Sequence, residues 1–148
     1  MIFTGCQDEV MDPVTFQVDV SQFSKELSQN EQNQAAEKEL QRAEKTLNRM
    51  ISIINDKYRN NTTLMENILK SQDAWKEYRE FHMLSVFPGP EFGWGSMFRM
   101  SYNIEKSRVT WLRVKELYKW VSPGKAGEEY PDPWHGSYGM YEKIVPEE

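Results

Sequence analysis

The chain has 148 residues, with 18 Lys plus Arg against 23 Asp plus Glu and a formal net charge of −5. That length fits one domain able to bury roughly 70% of its unfolded surface without help from a metal or disulfide. The acidic balance argues against nucleic acid and suits a basic protein partner, and the single cysteine excludes an intramolecular disulfide or a cysteine-based zinc site.

In chain order, the opening Met1–Val10 has no basic region and no full apolar run, so it is not an intact signal peptide. Two readings of it stand. Ile2-Phe3-Thr4-Gly5-Cys6 resembles the end of a bacterial lipobox, which makes Cys6 a candidate for lipidation and residues 1–28 a tether. Alternatively the start is cytosolic and Cys6 is unremarkable. Val14-Thr15-Phe16-Gln17-Val18-Asp19-Val20 alternates in the only strand-like pattern. A lone strand is not stable, so an extended segment lying on helices is expected, with Ser21 or Ser24 capping a short helix.

The spacing of Ala36, Leu40, Ala43, Leu47, Met50 and Ile54 predicts a helix over 29–58 with one buried stripe. Glu37, Lys38 and Glu39 read as part of its solvated face. Asn60 and Asn61 mark a turn, and Thr62 or Thr63 is the expected cap of a second helix over 63–86. That helix carries Leu64, Ile68, Trp75, Tyr78 and His82 broadly on one face, supplemented by Leu69 and Phe81. Pro88-Gly89-Pro90 ends it. An aromatic, glycine-rich loop follows, and Ser96 is the expected cap of a third helix carrying Met97, Met100, Ile104, Ser107, Trp111, Val114, Tyr118 and Val121. The predicted fold is all-α, an antiparallel three-helix bundle over 29–121 with an extended N-terminal segment (1–28) and an irregular C-terminal tail (122–148). The tail holds four prolines, three tyrosines and Trp134, and reads either as an aromatic strap or as a flexible tail. The heptad-like stripes leave a dimer seam open as well.

A turn centred at Asn61 places Leu47 opposite Trp75, and Glu44 opposite Tyr78 and Arg79. A second connection centred at Pro90 places Gln72 near Arg108 and Arg79 near Tyr102. The expectation is a polar layer of Glu44, Asn48, Gln72, Arg79 and Arg108 with Trp75 alongside, which either binds a ligand or locks the helices together.

These same residues carry a resemblance. Ala43-Glu44-Lys45-Thr46-Leu47-Asn48, Tyr58, Gln72-Asp73-Ala74-Trp75-Lys76-Glu77-Tyr78-Arg79-Glu80, Gly95-Ser96 and Ser107-Arg108 with Leu112 resemble the LprI-type lysozyme-inhibitor domain over about Ala35 to Leu117. The Gln-x-x-Trp-x-x-Tyr-Arg core is the most specific part. The resemblance implies a bacterial, all-helical, exported and often lipid-anchored protein that inhibits lysozyme. This chain departs from it in lacking the paired cysteines usual there, and in carrying Glu44 where an aspartate is usual.

No phosphate loop, nucleophile motif or metal motif is present, so neither catalysis nor a cofactor is expected. Binding to a protein of the cell envelope or periplasm is the expected function, with lysozyme or another basic enzyme as target. Phe87, Phe92, Trp94 and Trp134 are the candidate anchors, since Trp and other aromatics dominate such interfaces. A membrane would be met only through Cys6. An immunity-like or scaffolding protein with a different partner is the alternative.

Overall fold

The computed structural model describes residues 12–90 and 95–121. Three helices, α1 (Gln29–Lys57), α2 (Thr62–Val86) and α3 (Phe98–Tyr118), form an all-α bundle, and two 3-10 turns, Pro13–Thr15 and Val20–Gln22, precede them. Glu44 of α1 meets Arg79 of α2, and Gln72 of α2 meets Arg113 of α3, so α2 is antiparallel to both neighbours. Among the described residues, no helix is long and apolar enough to cross a membrane.

Two of the three helix starts have a side-chain cap, and two differ from expectation. α1 begins with a capping box: Ser28 accepts from the Glu31 amide, and the Glu31 carboxylate accepts from the Ser28 amide. At α2 the cap is Asn61, which accepts from the Leu64 amide, rather than Thr62 or Thr63. α3 starts behind Met97 with no side-chain cap, so Ser96 does not play that part. Likewise Ser21 and Ser24 cap no helix. Asp12 and Asp19 instead close the two 3-10 turns by accepting from the Val14 and Ser21 amides.

α1 and α3 are the closely packed pair, and α2 stands farther from both. Side-chain size explains this. Along α1, Ala36 and Ala43 are fully buried, and on α3 Ser107, Thr110 and Val114 are too. Small contact residues let two helix axes approach. α2 reaches inward with longer side chains, Met65, Ile68, Gln72 and Met83. The buried stripe of α1 follows its expected spacing except that Glu39 is buried and Leu40 only half-buried. On α2 the buried methionines displace the expected Leu69, Tyr78 and Phe81, all of which are exposed, and Met97 before α3 is exposed too.

The N-terminal segment lies on the bundle as a strap, not a strand. The strand-like alternation does not survive, because the two turns rotate Val14 and Val20 outward and leave Phe16, 1% exposed, as the inward anchor. The Phe16 ring stacks on Trp111 at 6.1 Å and meets Tyr118 edge-on at 5.3 Å. Glu39 pins the strap. Its Oε1 accepts from Trp111 Nε1 at 3.0 Å, Arg42 Nη2 at 2.7 Å and the Asp19 amide at 3.3 Å. Its Oε2 accepts from Gln22 Nε2 at 3.0 Å and Arg42 Nε at 3.1 Å. Arg42 also donates to the carbonyls of Thr15 and Gln17, with its guanidinium 4.3 Å above the Trp111 ring. Burial pushes the Glu39 carboxyl up, but the bonds from Arg42 and Trp111, the Arg42 charge and the Asp19 amide outweigh it and hold the group below its ordinary 4.5.

A carboxyl depressed by folding stabilises the native state above its unfolded value and ceases to do so as the pH falls through the lower, folded value. Replacing Glu39 with Gln puts an amide donor among five donors. It is expected to cost about 2–3 kcal/mol in urea unfolding at pH 7, and to flatten the loss of stability that the wild-type chain shows below pH 4.5.

Candidate functional site

The middle of the bundle is crossed by Arg79 of α2. Its Nη1 donates to Glu44 Oε1 of α1 at 3.1 Å and to Thr110 Oγ1 of α3 at 3.0 Å. The guanidinium lies 4.9 Å from the Trp75 ring centre, a cation–π contact within the same helix. One side chain thus joins all three helices. Among the described residues Arg79 Nε is buried with no hydrogen-bond partner; Glu80 Oε1, at 4.0 Å, is too far.

One helical turn away, Arg113 Nε donates to Gln72 Oε1 at 2.9 Å, and Nη2 donates to Ser71 Oγ at 3.0 Å. This arginine is 8% exposed, with Glu116 Oε2 at 2.8 Å. Toward the other end of α2, His82 Nε2 lies 2.8 Å from Glu105 Oε1. Glu105 also accepts from Arg108 Nε and Nη2. Those Arg108 bonds, with His82 adding to them against partial burial, hold the Glu105 carboxyl down at about 2. The same pairing raises Arg108.

The expected polar layer is therefore half right. Glu44, Gln72, Trp75 and Arg79 come inward as expected, and Leu47 is in the core. Arg108 does not. It lies on the bundle's surface with its side chain 50% exposed, and Gln72 meets Arg113 instead. Arg79 reaches Thr110 rather than Tyr102. The connection between α2 and α3 is centred beyond Pro90, which slides the α3 register by more than a turn. Asn48 points to solvent, and Tyr78 is 57% exposed over His82.

Beyond Arg79, residues of all three helices line an open groove of about 650 Å³. Leu40, Met83, Leu84, Phe87, Phe98 and Tyr102 supply its apolar surface. Glu37, Gln41 and Glu44 stand on the α1 wall, with Arg99 and Asn103 on the α3 wall. This opening is why Leu40, a stripe position, is only half-buried. Phe87 lines the groove, packing edge-on against Phe98 at 5.6 Å and tilted against Tyr102 at 5.8 Å. Of the aromatic anchors expected from the sequence, Phe87 is the one described. Phe92, Trp94 and Trp134 lie outside the described residues, as do Cys6 and the tail 122–148.

Glu39, Arg42, Thr110 and Arg113 were not singled out by sequence. Only the spacing of Glu39 and Arg42, three residues apart on one helix, could have signalled a pair. Among the described residues no group of three or more His, Cys, Asp or Glu side chains is placed to hold a metal ion.

A family model described as "Lysozyme inhibitor LprI" matches residues 22–117, more than half of the chain. No curated protein and no solved structure matches.

Replacing Arg79 with Ala removes the ion pair to Glu44, the bond to Thr110 and the cover over Trp75 together. The expected loss is about 1–3 kcal/mol in urea unfolding. The Arg108→Ala change at the exposed pair is expected to stay within about 0.5–1 kcal/mol of wild type in the same measurement.

Proposed function

The chain belongs to the lysozyme inhibitor LprI family, and on that premise we propose that it is a non-catalytic protein of the bacterial envelope that inhibits lysozyme by occlusion. The observation that carries this reading is the family match, which spans every described motif residue from Glu44 to Arg108. The net charge of −5 favours fast encounter with a basic enzyme at low salt.

The part that enters the target's cleft is the segment following Phe87. The described geometry supports this choice in two ways. Phe87 and Phe98 pack together, so the two stems of the segment are held on one aromatic base. Pro88, Gly89 and Pro90 are exposed beyond it, with Gly89 at φ +97°, a conformation glycine adopts without cost. Glutamate, glycine and two aromatics, Phe92 and Trp94, complete the segment. Proline on both sides of Gly89 reduces the freedom that binding must remove. Cys6, lipidated, would anchor the protein to a membrane through residues 7–11, and the 122–148 tail with Trp134 would add a second contact.

Lysozyme activity measured against excess of the full chain is expected to fall, and more so at low ionic strength. Trp94→Ala is expected to weaken inhibition by about tenfold or more, the scale of an interface anchor, while the melting temperature stays unchanged. Lysozyme activity untouched by a molar excess of the protein overturns the reading.

A further inference from the structure

The groove lined by all three helices carries chemistry that the bundle itself does not use. Its apolar strip, Leu40, Leu84, Phe87 and Phe98, is flanked by opposite charges on opposite walls. Glu37 of α1 and Arg99 of α3 are both exposed, and neither has an ion pair or hydrogen bond among the described residues. Glu44 on the α1 wall gives one oxygen to Arg79 and leaves its side chain 41% exposed. The neighbouring polar groups are fully engaged by comparison: Glu105 is held by His82 and Arg108, and Glu80 lies 3.3 Å from Lys106.

We propose that this groove is a docking site for a protruding peptide segment of the partner, one that carries an arginine or lysine beside an apolar side chain. The apolar side chain lies on Leu40, Leu84 and Phe98. The cation meets Glu37 and Glu44 on the α1 wall. Arg99, opposite, donates to backbone carbonyls of the same segment. The pairing of acceptors on one wall with a donor on the other selects a peptide over a purely anionic or purely cationic small molecule, because a peptide offers carbonyl oxygens and a cationic side chain together. An acidic peptide would place its charge against Glu37 and Glu44 and is rejected.

This inference deepens the inhibitor reading and rests on it for the partner's identity, but not for the chemistry of the groove. The test therefore uses probes independent of lysozyme. The full chain, labelled with nitrogen-15, is titrated with two short acetylated peptides that share a central Leu-Phe pair, one flanked by arginines and the other by glutamates. The arginine peptide is expected to shift the amides of Leu40, Glu44, Met83 and Phe98, and the glutamate peptide to leave them in place. Glu37→Lys and Arg99→Ser, both at exposed positions and expected to keep the wild-type melting temperature, should each weaken the arginine peptide, the first by about tenfold.

Equal response to both peptides, shifts confined to other surfaces, or unchanged binding to Glu37→Lys overturns the proposal. So does a groove that responds only after Phe92→Ser and Trp94→Ser, because the chain's own segment would then be the occupant. Lysozyme inhibition is measured on the same samples. Arginine-peptide binding in the groove without lysozyme inhibition supports the docking site and removes lysozyme as the partner. Inhibition that survives Glu37→Lys, with no peptide response, does the reverse.

Discussion

One buried carboxylate, that of Glu39, holds together parts of the chain that share no local structure. It lies in the closely packed half of the bundle, where there is no room for a hydration shell. A charge in such a place is costly unless every lone pair is occupied. Here five donors from the strap, from α1 and from α3 converge on its two oxygens. Because three of those donors come from outside α1, the carboxylate is satisfied only when strap and α3 are both in place. Phe16 and Trp111 then stack beneath the Arg42 guanidinium, so apolar burial and ionic pairing reinforce one another at the same spot.

α2 is attached by another means. It offers few apolar side chains to the core, and its remaining inward positions are long and polar: Gln72, Arg79 and His82. Each reaches across to a partner on α3, and Arg79 reaches α1 as well. Long side chains let a helix stand away from its neighbours and still be bound to them. The groove lies beyond the cross-link to α1, Arg79 to Glu44. The geometry that makes the motif residues a structural lock thus also places a cleft beside them.

The helices were legible because their apolar spacing and their breaks agree. α1 runs 29–57 where 29–58 was expected, and the turn at Asn61 correctly brings Glu44 to Arg79. What followed the second connection was not legible. The extent of the loop after Pro88 cannot be read from its composition, and an error of a few residues there replaced Arg113 with Arg108. Glu39 was hidden for a different reason. Within a run of charged residues it resembles solvated surface, and the partners that justify its burial, Asp19, Gln22 and Trp111, are distant in sequence. Periodicity reports which face of a helix is apolar. It does not report a polar group whose partners arrive from elsewhere in the chain.

The small-residue seam between α1 and α3 has a kinetic consequence. The two helices that pack most closely are not consecutive, so the best contacts in the molecule form only after the whole of α2 and both its connections have been gathered into a closed loop. The entropy of that closure is lost before the seam can compensate for it. The consecutive pair, α1 with α2, has little apolar contact of its own with which to persist as a hairpin meanwhile. Folding of the three helices is therefore expected to be concerted, with α3, the last of the described helices to be synthesised, supplying the contacts that stabilise the other two.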